Sequence, residues 1–317
     1  MSRRVAPVDA EPSERDPARR SGFACFVGRP NVGKSTLLNA IVGSKIAITS
    51  AKPQTTRRAV RGIVTRPDAQ LVIVDTPGLH KPRTLLGERL DDLVRSVWSD
   101  VDVVGLCIPA DQDVGPGDRR IAAELDQRIG STPVIGIVTK TDLASRERVA
   151  QQLLALSALR EFADVVPVSA TAGDQVDLLT DLLIARLPKG PVLYPDGELT
   201  DEPVTIRIAE LVREAALDGV RDELPHSLAA VVTEMGPRDG RDNLTDVYVT
   251  LYVERDSQKG IVLGHRGSRL NQVGRRARAG IEQLLGGQVY LDLHVTVAKD
   301  WQRDPKQLRR LGFDDQM

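Results

Sequence analysis

Short apolar runs alternate with amphipathic stretches over residues 22–187. The runs are GFACFVG, AVRGIVT, AQLVIVD, VDVVGLCIP, TPVIGIV and ADVVPVSA. Strands that read as nearly continuous apolar runs are typical of parallel sheets covered by helices on both faces. Only RPD separates AVRGIVT from AQLVIVD, which predicts an antiparallel hairpin. The pattern therefore predicts a doubly wound α/β domain whose sheet is mostly parallel with one antiparallel strand.

The periodicity changes after a polar stretch rich in proline and glycine, LPKGPVLYPDGELTDEP. VTIRIAELVREAAL and SRLNQVGRRARAGIEQLL have helical spacing, whereas SLAAVVTEM, LTDVYVTLYVE and VYLDLHVTVA alternate like strands. With a short helix before Gly264, the order α-β-β-α-α-β predicts a small α+β domain. We expect a disordered tail at 1–21, the first domain at 22–187, a linker at 188–203, and the second domain with its C-terminal tail at 204–317.

Composition limits the classes of function. The chain has 317 residues and a formal net charge of −1, so a nucleic-acid site has to be a local basic patch. Residues 1–21 are charged and contain several prolines but no apolar run, so we expect no signal peptide there. No run of eighteen apolar residues is present, so we expect no transmembrane helix and a cytoplasmic protein. Two cysteines lie in apolar, strand-like runs and are predicted to be buried in a reducing compartment: Cys25 and Cys107.

The segment GRPNVGKS fits the phosphate-loop pattern G-x-x-x-x-G-K-[ST], with a strand before it and a helix after it. The glycines let the backbone N–H groups face phosphates, and the helix that follows begins at the anion. We expect Lys34 to reach the outer phosphates and Ser35 to offer its hydroxyl to Mg²⁺. The residues predicted to bind the nucleotide here are Gly28, Arg29, Pro30, Asn31, Val32, Gly33, Lys34, Ser35 and Thr36.

DTPG follows the apolar strand LVIV, about forty residues after the phosphate loop. Alone it also makes a good turn. At this spacing we expect Asp75 to hold the metal through water and Gly78 to bring its backbone N–H to a terminal phosphate, with Thr76 and Pro77 between them. The polar stretch TSAKPQTTRR is either a solvated loop or a switch loop whose threonine completes the metal shell.

VTKTD closes the apolar run TPVIGIV. Lys140 and Asp142 could form a surface salt pair or the floor of a base pocket. A carboxylate accepts both donors on the Watson–Crick edge of guanine, whereas adenine would present an acceptor to it. The phosphate loop, D-x-x-G, K-x-D and S-A all follow strands, at the sheet edge where α/β ligands bind, which favours the pocket. The predicted base contacts are Thr139, Lys140, Thr141, Asp142, Val168, Ser169 and Ala170.

These motifs resemble those of a translation-factor-class GTPase. The resemblance implies binding of GTP and GDP with Mg²⁺. The base motif of such proteins is usually N-K-x-D, and here Thr139 replaces the asparagine that bonds the base and braces the phosphate loop. The loss of at most one bond costs about 1 kcal/mol, or roughly tenfold in affinity. Guanine selectivity should survive, because Asp142 carries it.

The same resemblance implies roles in hydrolysis. Many GTPases place a glutamine directly after this glycine to orient the attacking water, and Leu79 has no polar atom to do so. We therefore expect slow hydrolysis that depends on Lys34, Mg²⁺ and the Gly78 N–H. Thr56 is the expected Mg²⁺ ligand from the switch loop, with Thr55 as the alternative. Some relatives recruit K⁺ through a phosphate-loop asparagine, and at the matching place stands Asn31.

The second domain holds a G-x-x-G sequence, Gly264–Gly267, between two helix-like segments. Alone, this sequence also fits a tight helix–helix turn. The surrounding order of elements resembles a prokaryotic-type KH domain, in which such a loop lets single-stranded nucleic acid approach closely. Acidic residues are nearly absent from 257–281, so the arginines there make a local basic patch or an ordinary solvated face. The predicted RNA-binding residues are Gly264, His265, Arg266, Gly267, Arg269, Arg275 and Arg276, and Arg278 lies in the same stretch.

A GTPase domain followed by a KH domain resembles the Era family of small ribosome-assembly GTPases, over residues 22–314. The likeness includes GRPNVGKSTLLNA, PQTTR, DTPGLHKP, PVLYPDGELTDEP, DELPHS and VAKDWQRDPKQLRRLGF. It implies binding to the 3′ end of 16S rRNA, a role in assembly of the 30S subunit, and RNA affinity controlled by the GTP state. The chain departs from the family at Thr139 and at HR within the glycine loop, which leaves the preferred RNA sequence open.

Two other functions compete with this interpretation. One is a GTPase that assists tRNA modification, which usually has a C-terminal cysteine or an extra catalytic domain. The other is an RNA-binding module with a poorly hydrolysing nucleotide pocket, supported only by Thr139 and Leu79. The chain is expected to be a monomer, and the basic segment KQLRR would permit peripheral contact with the inner face of the membrane.

Overall fold

The computed structural model describes residues 19–50, 55–79, 82, 84–219, 224–241 and 243–313. Most of the predicted N-terminal tail, and residues 51–54 of the predicted switch loop, lie outside this described part. The described residues form a six-stranded sheet followed along the chain by a three-stranded sheet. None of their helices is long and apolar enough to cross a bilayer.

The six-stranded sheet has the order β2-β3-β1-β4-β5-β6. Its strands pair in parallel except β2, which runs antiparallel to β3. The predicted hairpin is thus confirmed, with Val60 opposite Asp75 and Arg66 opposite Ala69. The first strand begins two residues before the predicted domain start at 22. The bounds are β1 Arg20–Val27, β2 Val60–Arg66, β3 Ala69–Asp75, β4 Val103–Pro109, β5 Val134–Thr139 and β6 Asp164–Pro167.

Helices cover both faces of this sheet, because its central strands are apolar on both sides. One core cluster joins the sheet to α1 and α5, and the other joins it to α2, α3 and α4. Cys25 and Cys107 are fully buried in these cores, as predicted, and burial raises the pKa of Cys107 to about 12. The bounds are α1 Lys34–Val42, α2 Leu85–Asp100, α3 Pro116–Arg128, α4 Arg146–Ser157 and α5 Val176–Ile184.

The second sheet has the order β7-β8-β9, with β8 antiparallel to β7 and parallel to β9. Helices α6, α8 and α9 bury its apolar face. The order of elements confirms the predicted α+β domain of KH type, including the short helix before Gly264. The bounds are α6 Val204–Leu217, α7 Leu224–Ser227, β7 Ala229–Pro237, β8 Leu244–Val253, α8 Asp256–Leu263, α9 Ser268–Leu285, β9 Gln288–Val297 and α10 Pro305–Arg310.

The two domains share an apolar cluster. Leu86 and Leu90 of α2 pack with Trp301, Leu308 and residues near them at the C-terminal end of the chain. Residues 190–203, which precede α6, contain no helix or strand. The linker nevertheless contacts the first domain, because the backbone N–H of residue 63 donates a 2.9 Å hydrogen bond to the carbonyl of residue 199. The domains therefore pack directly against each other.

Candidate nucleotide site and RNA interface

The phosphate loop lies between the end of β1 and the start of α1. Gly33 is the N-cap of α1, with φ 102°, a value that favours glycine. No side chain caps this helix end, and its first turn holds no acidic residue. The first N–H groups of α1 therefore need an acceptor from outside the helix, and an anion is the partner that the helix dipole favours.

Lys34 is the buried cation of the site. Its ammonium donates to the carbonyls of Gly28 and Arg29, both at 3.3 Å. Burial lowers the pKa of Lys34, and the nearby carboxylate of Asp75 opposes that shift. The loop's own carbonyls thus hold the positive charge inside the curve of the backbone, where phosphate oxygens would lie.

Three oxygen-bearing side chains from three separate segments meet beside Lys34. Ser35 Oγ lies 2.9 Å from Thr56 Oγ1, and both hydroxyls contact Asp75 Oδ2, at 2.5 and 3.1 Å respectively. Asp75 Oδ1 is buried without a hydrogen-bond partner, and burial raises the pKa of this carboxyl while Lys34 opposes the rise. Mg²⁺ prefers oxygen ligands of this kind, so the residues fit a magnesium ion. Of the two threonines expected as candidates for the metal, Thr56 directs its hydroxyl to this cluster.

The segment after β3 touches the phosphate loop. A Cβ at Gly78 would lie 2.7 Å from the backbone nitrogen of Pro30, so only glycine permits this approach. Leu79 is 4% exposed and belongs to the core cluster that includes Val94 and Trp98 of α2. The side chain at position 79 therefore offers no polar atom to the cavity.

Two adjoining cavities form one cleft along the carboxyl edge of the sheet. The larger, about 620 Å³, lies on the phosphate side, and the smaller, about 140 Å³, lies on the base side. Gly33, Thr36 and Lys140 line both. Further predicted residues around the larger cavity are Pro30, Asn31, Lys34, Ser35, Thr56 and Gly78, and around the smaller one Thr139, Asp142, Val168 and Ala170.

The base-side cavity is built around Asp142. Its Oδ1 accepts a 2.6 Å hydrogen bond from Ser169 Oγ, and this bond lowers the pKa of the carboxyl, so Asp142 is ionised at neutral pH. Thr139 Oγ1 donates to the carbonyl of Val32 at 2.6 Å. The threonine therefore braces the phosphate loop, the second of the two tasks that the resemblance assigns to asparagine at this position.

Several predicted nucleotide contacts do not line either of these two cavities. Arg29 pairs with the buried Asp118 at 2.8 Å, and Thr76 donates to the carbonyl of Phe26 at 3.4 Å. Ser169 is fully buried and positions Asp142. The other residues in this group are Gly28, Val32, Asp75, Pro77 and Thr141.

Sequence reasoning missed other residues that line the cleft. Gln112, from the loop after β4, lines the phosphate side, and Leu143 and Thr171 line the base side. Thr171 directly follows the S-A motif and could have been found from that position. Gln112 has no motif around it, so only the fold brings it to the site.

The glycine loop of the second domain joins α8 to α9. Gly264 and Gly267 have φ of 70° and 78°, which favour glycine, and His265 and Arg266 between them are exposed. The backbone of the loop is thus open to a ligand on the side where these two side chains project.

The predicted basic patch on α9 is divided. Arg269 donates to the carbonyls of Ala216 and Asp218 at the end of α6, at 3.1 and 2.6 Å, and Arg276 pairs with Asp218. Arg275 and Arg278 are exposed, and Arg278 lies on the opposite side of the helix from Arg269, as helical spacing requires. The guanidinium of Arg269 is therefore engaged with the end of α6, whereas the side chain of Arg276 stays exposed beside Asp218.

Comparison with known proteins agrees with this geometry. Residues 23–140 match the model of a family described as 50S ribosome-binding GTPase, and residues 223–302 match that of the KH domain. GTPase Era of Streptomyces coelicolor is 62% identical over 311 residues, covering 96% of this chain and 97% of the relative. GTPase Era of Mycolicibacterium smegmatis is 63% identical over 295 residues, covering 93% and 99%.

Solved structures show the same two-domain architecture. A crystal structure of Era in complex with MgGDPNP and nucleotides 1506–1542 of 16S ribosomal RNA has a TM-score of 0.88, at 35% identity, covering 93% of this chain and 99% of that one. A variant of Aquifex aeolicus Era bound to GDP·AlF₄⁻ has a TM-score of 0.87, at the same identity and coverage. This chain belongs to the Era family of GTPases.

Proposed function

We propose that this chain binds and hydrolyses GTP, and that its KH domain binds the 3′ end of 16S rRNA during assembly of the 30S subunit. The observation that carries the proposal is the continuous cleft that joins the phosphate loop, the Ser35–Thr56–Asp75 cluster and the Asp142 pocket. The same chain has an open glycine loop in its second domain. The complex of a relative with MgGDPNP and nucleotides 1506–1542 of 16S rRNA supports it.

The phosphates would lie against the N-terminus of α1 and the Lys34 ammonium. Ser35 and Thr56 would hold Mg²⁺ directly, and Asp75 would hold it through water. Bound Mg²⁺ supplies positive charge that offsets the charge on the phosphates. The Lys34 ammonium and the Gly78 N–H add fixed donors to the oxygens on which negative charge develops during hydrolysis. Because Leu79 cannot orient a water molecule, the intrinsic rate should be low.

Base selectivity would come from Asp142. The ionised carboxylate accepts from the ring N–H and the exocyclic amine of guanine together, and adenine presents an acceptor there instead. Ser169 fixes the carboxylate from behind, while Val168 and Ala170 shape the pocket around the base.

The RNA would approach the backbone at Gly264 and Gly267, where His265 and Arg266 are exposed and Arg275 follows on α9. Contact of RNA with Arg269 would require its side chain to leave α6, whereas Arg276 is exposed beside Asp218. Activation by K⁺ through Asn31, peripheral contact with the membrane and a monomeric state stay predictions from the sequence.

Single-turnover hydrolysis of GTP, with and without an oligonucleotide of the 16S rRNA 3′ end, tests the proposal. We expect hydrolysis in both samples and binding of the oligonucleotide in preference to a scrambled one of equal length. A chain that binds tRNA in preference to this oligonucleotide would support the tRNA-modification alternative. Absence of hydrolysis in both samples would support a binding module alone.

Thr139→Asn is expected to tighten GDP binding about tenfold without changing the preference for guanine over adenine. Thr139 uses its hydroxyl proton on the Val32 carbonyl, so it has none left for the base. An asparagine amide has two N–H donors and one acceptor oxygen, enough for both partners.

Isothermal titration of GDP and ADP into both proteins measures this effect. Thr132→Asn, near the other end of β5 and away from both cavities, is the matched control. Unchanged GDP affinity in Thr139→Asn would contradict the explanation. Wild-type protein that binds ADP as tightly as GDP would overturn the guanine assignment itself.

A further inference from the structure

The three-stranded sheet of the second domain has an inner face, which its helices bury, and an outer face. Val247 of β8 belongs to the helix-covered core, so the next residue, Tyr248, points to the outer face. Near the C-terminal end of β8, Tyr252 belongs to the apolar cluster with Trp301 that joins the two domains. At the other end of the sheet, Tyr290 of β9 is 42% exposed. Within the described part of the chain, the outer face is therefore covered at one end and open around Tyr248 and Tyr290.

The open end already holds an arginine of the chain itself. Tyr290 lies opposite Asp246 in the parallel register of β9 and β8. The guanidinium carbon of Arg238 lies 4.3 Å from the centre of the Tyr290 ring, and its Nε lies 2.9 Å from Asp246 Oδ1. A planar guanidinium can place its face on a ring and direct its N–H groups to a carboxylate at the same time. Tyr290 and Asp246 thus form an occupied arginine site.

The next row across the sheet has the same two kinds of group. Tyr248 lies opposite Asp292 on β9 and opposite Glu234 on β7. The rings of Tyr248 and Tyr290 meet edge to face, with centroids 6.4 Å apart. Among the residues that the structure describes, no guanidinium lies over the Tyr248 ring, and no cation pairs with Asp292 or Glu234. This row therefore has the ring and the carboxylates of an arginine site without the arginine.

The charge of the open end favours a cationic partner. Desolvation and the carboxylates of Asp246 and Glu234 raise the pKa of Tyr248, and Arg238 offsets only part of this rise. Because Arg238 balances Asp246, the carboxylates of Glu234 and Asp292 leave the face acidic. Phosphates would be repelled there. The face also lies on the other side of the sheet from α8 and α9, which carry the glycine loop, so it is suited to a protein and not to RNA.

We propose that the outer sheet face around Tyr248 binds an arginine-rich segment of a partner protein. One arginine of that segment stacks on the Tyr248 ring and pairs with Asp292 and Glu234, which flank it, in the way that Arg238 occupies the neighbouring row. A lysine cannot make the same contacts, because its ammonium is a point charge without a flat face. This surface is separate from the proposed sites for GTP and RNA.

The test measures binding of two fluorescein-labelled peptides to the full chain by fluorescence anisotropy at low salt. In one peptide arginine alternates with glycine, and in the other lysine replaces each arginine. We expect the arginine peptide to bind about fivefold more tightly, the effect of one cation–π contact at an exposed site. Tyr248→Ala should remove this preference, whereas Tyr248→Phe keeps the ring and should retain it. Asp292→Asn should weaken binding of the arginine peptide about threefold.

Asp256→Asn is the matched control for the loss of one negative charge. Asp256 is exposed in the first turn of α8, on the helix-covered side of the sheet, so its variant should bind the arginine peptide as the wild type does. Thermal unfolding checks that each variant is folded. If Tyr248→Ala does not fold, Asp292→Asn and Glu234→Gln, which keep the size of the side chain, decide the outcome.

Equal affinity of the wild type for the two peptides would reduce the interaction to general charge attraction and overturn the proposal. Unchanged binding of the arginine peptide in both Tyr248→Ala and Asp292→Asn would also overturn it. If Tyr248→Ala weakens binding of a 16S rRNA 3′-end oligonucleotide and not of the peptide, the face is an RNA contact instead. A dimer of the wild type that Tyr248→Ala dissociates in analytical ultracentrifugation would show that a second copy of the chain covers the face, which again contradicts the proposal.

Discussion

Asp142→Asn is expected to lower the affinity for GDP and GTP by about 100-fold or more, since two guanine donors lose an ionised acceptor. The asparagine would present one carbonyl oxygen and one amide NH₂ group to the base edge. The amide NH₂ of the asparagine would face an N–H donor of guanine. Two donors cannot pair with each other, so both would be left without an acceptor. Xanthine has a carbonyl where guanine has its exocyclic amine, so the variant should bind xanthine nucleotides better than the wild type does.

Isothermal titration of GDP, XDP and ADP measures this change of preference. Asp177→Asn, an exposed aspartate in the first turn of α5, is the matched control and should bind GDP normally. GDP affinity within threefold of wild type in Asp142→Asn would show that this carboxylate does not read the base. A variant that loses GDP and gains no xanthine nucleotide would mean that the pocket had collapsed, and thermal unfolding would reveal it.

Lys34→Met is expected to lower the single-turnover rate of GTP hydrolysis by about 100- to 1,000-fold, the usual effect of removing one fixed electrostatic donor. Methionine has a similar length and suits a buried position, but it carries no charge. The variant should lose more stabilisation in the transition state than in the bound substrate, because negative charge develops during the reaction on oxygens that the ammonium would contact. It should therefore appear in the rate at saturating GTP as well as in binding.

Rapid-quench hydrolysis with enzyme in excess over GTP separates the chemical step from binding. The exposed linker residue Lys189 supplies the control, Lys189→Met, whose rate should match wild type. A Lys34→Met rate within fivefold of wild type at saturating GTP would assign the lysine to binding alone.

The strands, the hairpin and the order of the second domain could be predicted because their signals are local. A continuous apolar run such as TPVIGIV is typical of a strand buried on both faces, and RPD fits a tight turn. The motifs also lie together for a simple reason: parallel strands bring their carboxyl ends to one edge. The motifs that line the cleft could therefore be predicted from the strand pattern and from the shared edge of the parallel strands.

The directions of particular side chains could not be predicted in the same way. Helical spacing places Arg269 and Arg276 on one side of α9, but only the packing of α6 decides that this side faces a neighbour. The choice between Thr55 and Thr56 depends on backbone angles that two identical adjacent residues do not encode. Arg57 and Arg213 contact atoms about 170 and 160 residues away along the chain, beyond the reach of any local pattern.

Leu79 also affects the lifetime of the GTP-bound state. Its side chain stabilises the first domain by burial against α2, and the same burial leaves the attacking water without a polar guide. A polar residue able to hold that water would lose apolar contacts and leave a polar group partly unpaired, at a cost of about 1–3 kcal/mol. The lifetime of the GTP-bound state and the free energy of unfolding are therefore linked at one position, and selection for a longer-lived signal would also favour a more stable domain.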